Sequence, residues 1–140
     1  MMDNIAAFDL GSDVPKVALY NNTPTPDNTV VSASTAYNTG QWVTANEVSQ
    51  AGQWAAGGVA LAGTSLTVGA SATTYDANDT ASGSAATLAN VFGALVYDDT
   101  ITTPVADQGL SYNYFGGTNS VTGGSFTVVW NAAGIFRATY

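Results

Sequence analysis

The last third of the chain, residues 89–140, contains three apolar runs separated by turn residues, and this pattern constrains the fold more than any other feature. In the third run, Phe126, Val128 and Trp130 alternate with less apolar neighbours. Such alternation places successive side chains on opposite faces of a β-strand. Residues 131–134, NAAG, follow this run, and their glycine can adopt the positive φ that a chain reversal often requires. The segment therefore predicts antiparallel sheet.

The apolar residues that usually build a core are scarce in this chain. The hydrophobic fraction is 46%, but Leu, Ile, Val and Phe make up only 29 of the 140 residues. Fifteen aromatic residues must therefore supply much of the buried area. A chain of this length forms about one domain. A domain with so thin a core would gain stability by burying one face against a partner.

Charge and residue usage exclude several classes of function. The net charge is −8, and Lys16 and Arg137 are the only cationic residues, so a surface that follows nucleic-acid phosphates is not expected. The chain has no cysteine, which excludes disulfides and thiolate metal sites. Residues 1–13 lack the basic and apolar regions of a signal peptide. No run approaches the roughly eighteen apolar residues of a membrane span, so no membrane partner is expected.

The rest of the sequence predicts a single β domain preceded by an arm. Residues 1–13 are polar and acidic, with scattered apolar positions, and suit an arm that becomes ordered on a neighbouring molecule. Residues 14–140 form the domain, whose first strand is predicted at residues 14–20, VPKVALY. A loop rich in proline and asparagine follows it at residues 21–29. Turn signals every 8 to 15 residues favour a small antiparallel β-sandwich or barrel.

Two local motifs add detail to this mainly β prediction. Thr44 and Glu47 have the S/T-x-x-E spacing of a capping box, which predicts at most a short helical turn near residues 44–50. Residues 59–68, VALAGTSLTV, contain two short apolar alternations on either side of Gly63. This arrangement predicts a β-hairpin.

The sequence does not contain the residues that common catalytic mechanisms need. Without His or Cys, the usual hydrolytic triads cannot form. A Ser-Lys dyad would depend on Lys16, which lies within a predicted strand. Asp98 and Asp99 are adjacent, so on a strand they would face opposite sides, and at a turn they would accept backbone N–H bonds. We therefore expect a protein that is not an enzyme and has no cofactor.

Two groups of residues are candidates for binding sites. Asp76, Asn78 and Asp79 resemble the start of a calcium loop, but the glycine at its sixth position and the acidic residue at its twelfth are missing, which favours an ordinary turn. Aromatic residues could instead form a platform on which sugar rings stack, and the alternative for them is packing in the core or at an interface. These aromatic residues are Trp42, Trp54, Tyr112 and Tyr114.

Six motifs are spread over nearly the whole chain: KVALY at 16–20, WVTANEVS at 42–49, GG at 57–58, LVYDDT at 95–100, FGG at 115–117 and GSFTVVWNAAGIF at 124–136. Together they resemble a family of small structural proteins encoded by tailed bacteriophages. The chain departs from the family pattern at residues 50–56 and in the alanine-rich region 69–89.

The resemblance implies a virion component, most specifically a capsid decoration or cement protein on the outer capsid surface. Proteins of that kind bind the major capsid protein, often as homotrimers at three-fold positions, and stabilise the shell. The alternative that we retain is a tail or fibre component that contacts a glycan on the host surface. For the partner interface we predict Phe8 and Leu10 in the arm together with Trp42 and Trp54. Ordinary core packing or a disordered terminus is the alternative for these four residues.

Overall fold

In the computed structural model, which describes residues 9–140, the chain is built from antiparallel β-strands. The predicted mainly β fold is confirmed. Helical structure in the described range is confined to 3-10 turns at Ser32–Ser34, Gly40–Trp42 and Thr44–Asn46. The strands are β1 (Lys16–Tyr20), β2 (Glu47–Val48), β3 (Val59–Ala60), β4 (Ser65–Val68), β5 (Ala72–Asp76), β6 (Thr80–Ala81), β7 (Ala86–Asp98), β8 (Gln108–Gly124), β9 (Thr127–Val128) and β10 (Phe136–Thr139).

The largest sheet, here called the main sheet, has the strand order β2-β1-β7-β8, and β3 also pairs with β1. Strands β7 and β8 are 13 and 17 residues long and form one hairpin with several register shifts. The two halves of β1 pair with β2 and β3 on one side, and its whole length pairs with β7 on the other. Strand β1 is therefore interior to the sheet, while β8 forms one of its edges.

Both faces of the main sheet are covered where β1 and β7 pair. Val17 and Leu19 point to one face, whereas Ala18 and Tyr20 point to the other, and all four are fully buried. Residues 93–98 of β7 are buried in the same way. A strand that is buried on both faces contains a continuous apolar run, which explains the unbroken VALY sequence.

The first core lies between the main sheet and two smaller sheets, of which one has the order β10-β5-β4 and the other pairs β6 with β9. The indole Nε1 of Trp54 donates to the carbonyl of Val17 at 3.2 Å and ties the layers together. This arrangement is a layered sandwich, and the described strands do not close into a barrel. The first core comprises Val17, Leu19, Trp54, Leu61, Tyr75, Ala86, Leu88, Val91, Ala94, Val96, Phe126, Val128 and Ile135.

The predicted hairpin over residues 59–68 is wrong. Strand β3 pairs with β1, and β4 pairs along its whole length with β5, so that Leu66 lies opposite Tyr75. The alternation in β4 was read correctly, but alternation does not specify which strand is the partner. With β5, the chain forms a ladder of four residue pairs across a turn at residues 69–72.

The predicted helical turn is present as the 3-10 turn Thr44–Asn46, but the capping box is wrong. The residue that precedes this turn is Val43, and no side chain caps it. Glu47 follows the turn, and its carboxylate binds elsewhere, as described below.

The predicted turn at residues 131–134 is confirmed. Gly134 has φ +102°, and its N–H donates to the carbonyl of Asn131 at 2.8 Å. The strands on either side of this turn do not pair with each other, because β9 pairs with β6 and β10 pairs with β5.

Candidate interaction surfaces

A second core covers the other face of the main sheet, beneath the loop that carries the 3-10 turns. It consists of Ala18, Tyr20, Trp42, Leu95 and Tyr97, with Tyr37 and Tyr112 packed against it. The rings of Tyr20 and Trp42 meet edge to face at 5.3 Å, and the Tyr20 hydroxyl donates to the Trp42 carbonyl at 2.6 Å. Burial raises the pKa of Tyr20, so this phenol stays protonated as a donor. These contacts fix Trp42 in one position on the sheet.

Glu47 holds this loop to the neighbouring glycine-rich turn. One carboxylate oxygen accepts a bond from the Tyr37 hydroxyl at 2.8 Å, and the other accepts one from the Gly57 N–H at 2.8 Å. Tyr37 stacks on Tyr97 with a centroid distance of 4.6 Å, and the Tyr97 hydroxyl donates to the Gly57 carbonyl. Burial raises the pKa of Tyr37, and the bond to Glu47 raises it further. The phenols of Tyr37 and Tyr97 donate hydrogen bonds in this network and stay protonated near neutral pH. This indicates that the network has a structural role.

An aromatic groove lies next to the second core, between the loop that follows β1 and the edge strand β8. Its volume is about 420 Å³, and its walls are formed by Asn22, Pro24, Pro26, Tyr112 and Tyr114. The two tyrosines are two residues apart on β8 and share one face, which places them about 7 Å apart. Tyr114 is 59% exposed. One wall of the groove thus consists of a half-buried and an exposed tyrosine.

Contacts with Trp42 and with the main chain of Gly93 fix the position of Tyr112 in the groove wall. Its ring lies 4.7 Å from the ring of Trp42. It also lies across the main chain of Gly93, where any β-carbon would collide with the phenol. The pKa of Tyr112 is raised, first by burial and then by the neighbouring Tyr114. Gly93 is therefore a position at which only the smallest residue leaves room for this tyrosine.

The structure brings together three of the four residues in the predicted sugar-stacking platform. Trp42 supports Tyr112, and Tyr114 extends the same face. Trp54 does not belong to this group, because it lies in the first core with its ring edge against Phe126 at 6.2 Å. The sequence analysis missed the opposite wall of the groove, formed by residues 22–26. The signal was the repeated proline in NNTPTP at 21–26, which we interpreted only as a loop.

The predicted interface residues have different surroundings. Trp42 and Trp54 are buried within the chain, as expected for the core alternative. Leu10 is half-buried and packs against the first core from a turn that begins at Asp9. Phe8 lies outside the described residues. A role for these segments in partner contact stays a prediction.

Strand β4 forms an open, apolar edge of the β10-β5-β4 sheet. All four of its residues are exposed, and Leu66 and Val68 remain 39% and 69% exposed. Both lie on the same face as their cross-strand partners, Tyr75 and Thr73. The apolar face of the first core therefore continues outward to a strand edge that no other strand of residues 9–140 covers. Such an edge is a template for pairing with another chain.

The adjacent carboxylates at the end of β7 do not form a catalytic pair. One oxygen of the fully buried Asp98 accepts bonds from the Thr100 N–H at 2.9 Å and from its hydroxyl at 2.6 Å, which confirms the turn interpretation. The second oxygen has no hydrogen-bond partner among residues 9–140. Burial raises the pKa of Asp98, Thr100 lowers it, and the carboxyl of Asp13 raises it further. Asp99 instead pairs with Lys16.

The aspartates that resemble a calcium loop accept hydrogen bonds from backbone N–H groups. Asp76 accepts from the N–H of Ala77, and Asp79 accepts from the N–H of Trp130. Across residues 9–140, no group of three or more His, Cys, Asp or Glu side chains is arranged to hold a metal ion.

Comparison of the chain with protein-family models, with curated proteins and with solved structures finds no match. Within the part of the chain that the structure describes, no helix has the length and apolar character needed to cross a bilayer. The resemblance to small virion proteins of tailed bacteriophages therefore remains an expectation from sequence motifs.

Proposed function

We propose that this chain is a non-enzymatic structural protein of a tailed-bacteriophage virion, specifically a decoration or cement protein on the outer capsid. It binds the major capsid protein as a homotrimer and stabilises contacts between capsid subunits. The observation that carries this proposal is the open apolar edge formed by β4, with Leu66 and Val68 exposed.

The edge of β4 supports assembly with a further copy of the same chain. Soluble β proteins usually protect an edge strand with charged residues, prolines or a covering segment. Strand β4 has the sequence SLTV and contains none of these residues. Because β10 forms the opposite edge of the same sheet, the β4 of one copy can meet the β10 of the next. A head-to-tail contact of this kind closes into a ring when the rotation between copies is suitable, as in a trimer.

The charge of the chain also fits a location on a DNA-filled shell. A net charge of −8 with two cationic residues keeps the protein soluble and gives it no affinity for packaged DNA. A small β domain that buries apolar surface against several capsid subunits adds association free energy at each junction.

Quantitative mass spectrometry of purified virions tests the proposed location. A decoration protein is expected at hundreds of copies per particle, in a fixed ratio to the major capsid protein. The alternative, a tail or fibre component that contacts a host glycan, is favoured by the aromatic groove and predicts three, six or twelve copies. Absence of the chain from purified virions would refute both locations.

A heating experiment tests the stabilising role separately. Particles that lack the protein are expected to rupture at a lower temperature than complete particles, and adding back the purified protein should restore the original temperature. An unchanged rupture temperature would remove the stabilising role, even if the copy number were high.

A further inference from the structure

We propose that the groove between residues 22–26 and strand β8 binds a neutral carbohydrate chain, whose rings stack on Tyr112 and Tyr114. This inference concerns the isolated protein and does not depend on whether the chain lies on the capsid or on the tail. It assigns a ligand class to a surface that the structural role of the protein does not require.

The two tyrosines provide the apolar part of the site. A sugar ring has a face of C–H groups and an edge of hydroxyl groups, and the face packs on a flat aromatic ring. Tyr114 is 59% exposed, and Tyr112 lies beside it on the same face of β8. Their separation of about 7 Å lets neighbouring sugar rings lie over neighbouring phenols.

The rim of the groove provides the polar part of the site. The amide of Asn22 and the two tyrosine hydroxyls can each donate and accept hydrogen bonds. Sugar hydroxyls also donate and accept, so the two sets of groups are complementary. A proline-rich peptide has no N–H at its prolines and would use only the donors of the rim. We therefore favour a carbohydrate over a peptide as the occupant.

The groove wall is ordered before any ligand arrives. Tyr112 rests on Trp42 at 4.7 Å, and Trp42 is fixed by Tyr20 through both ring contact and a hydrogen bond. Gly93 has no β-carbon, which leaves the space that the Tyr112 ring occupies. Ordering side chains on binding costs affinity, and a site that is already ordered avoids most of this cost.

Charge restricts the ligand to neutral carbohydrates. Neither of the two cationic residues of the chain lines the groove, since Lys16 pairs with Asp99 and Arg137 lies on β10. The net charge of −8 repels uronic acids, sialic acids and phosphorylated sugars. A neutral hexose or N-acetylhexosamine polymer is not subject to this electrostatic repulsion.

The test is a titration of the full chain with cellohexaose, maltohexaose and the hexamer of N-acetylglucosamine, followed by NMR chemical-shift changes and calorimetry. We expect saturable binding of at least one of these neutral probes, with shift changes centred on Asn22, Tyr112 and Tyr114. Polygalacturonate serves as the anionic probe and should bind at least about tenfold more weakly. Lack of saturable binding by all three neutral probes would overturn the proposal, as would equal or tighter binding of polygalacturonate.

Variants of exposed tyrosines locate the site. Tyr114→Ala is expected to weaken binding of the neutral probe about tenfold or more, whereas Tyr114→Phe, which keeps the ring, should weaken it less than about threefold. Tyr140→Ala is the matched control, because Tyr140 is 71% exposed, bonds to the turn at residues 69–71 and does not line the groove. Equal effects of the Tyr114→Ala and Tyr140→Ala changes would refute the assigned site. If a decaproline peptide bound at the groove and no neutral sugar did, the ligand of this site would be a peptide and not a carbohydrate.

Discussion

The phenol ring of Tyr112 occupies the space that a β-carbon at Gly93 would need. The two residues belong to the paired strands β7 and β8, and Tyr112 rests at the same time on Trp42. The position of the exposed groove wall is thus determined by the absence of a side chain on the neighbouring strand.

Replacing Gly93 by alanine should therefore displace Tyr112. We expect the free energy of unfolding, measured by urea denaturation, to fall by about 1–3 kcal/mol, which is the usual cost of overpacking. Near-UV circular dichroism should change as Tyr112 moves relative to Trp42. The control is Gly117→Ala on the partner strand β8, where a β-carbon would meet nothing within 4 Å. The proposed link between the two residues would be wrong if both variants lost the same stability.

Removing the carboxylate of Glu47 should loosen the loop over the second core. Glu47→Ala leaves the Tyr37 hydroxyl and the Gly57 N–H without their acceptor. We expect a loss of about 2–3 kcal/mol in the free energy of unfolding, since these groups are partly buried. Asp27→Ala is the control, because Asp27 is an exposed carboxylate that accepts only from Thr29 in its own turn, and its effect should be much smaller. Comparable losses in the two variants would show that Glu47 has no special role.

The stability of the protein should fall as pH rises through the titration of Asp98. Its pKa is raised in the folded chain by burial and by the nearby Asp13, while the bonds from Thr100 act in the opposite direction. Burial, together with the charges of Asp98 and Asp13, raises the pKa of Tyr75 to about 12, so the Tyr75 hydroxyl remains protonated in this pH range. The folded state therefore holds the Asp98 proton more tightly than the unfolded state does. This contribution to stability is complete below the ordinary Asp pKa and is lost as pH rises through the raised value.

Thermal melts of the wild type and of Asp98→Asn between pH 4 and pH 8 measure this effect. The amide of asparagine keeps an oxygen for Thr100 and does not ionise. The melting temperature of the variant, relative to the wild type, should rise as pH increases above the ordinary Asp pKa and should level off once Asp98 is ionised. A difference between the two proteins that does not vary with pH would contradict the assigned titration.

A charge on the open edge of β4 should prevent the proposed assembly without unfolding the chain. Val68→Lys places an ammonium group at a position that is 69% exposed, so the monomer should lose less than about 0.5 kcal/mol. Analytical ultracentrifugation should show three times the 14.2 kDa chain mass for the wild type and a monomer for this variant. Val129→Lys is the control, because Val129 directly follows β9, is 71% exposed and lies outside the β10-β5-β4 sheet. A monomeric wild-type protein would refute the trimer, and a trimeric Val68→Lys variant would show that it forms elsewhere.

The sequence predicted the class of the fold because local alternation determines which side of a strand is buried. Phe126 and Val128 are buried while Thr127 and Val129 are exposed, as their alternation indicates. The alternation of apolar and polar residues does not indicate, however, which strands pair with each other. Strand β4 was assigned to β3 although it pairs with β5, since either partner would satisfy the same apolar face.

The candidate sites were predictable only in part, for a related reason. Trp42 and Trp54 are the same residue type and have similar neighbours in the sequence. They nevertheless pack on opposite faces of the main sheet. The face that a loop residue reaches depends on the path of the chain, which short motifs do not specify. The contribution of Pro24 to the groove depends in the same way on how residues 21–29 fold back toward β8. By contrast, the turn role of Asp98 was predictable because its partner, Thr100, is only two residues away.

The pairing of β7 with β8 also has a consequence for how the chain folds. Only residues 99–107 connect these strands, whereas β1 must find β7 across more than sixty intervening residues. Closing a short loop costs less entropy than closing a long one, so we expect the hairpin to form early and β1 to join it late. The slow step of folding would then be the pairing of β1 with the preformed β7-β8 hairpin.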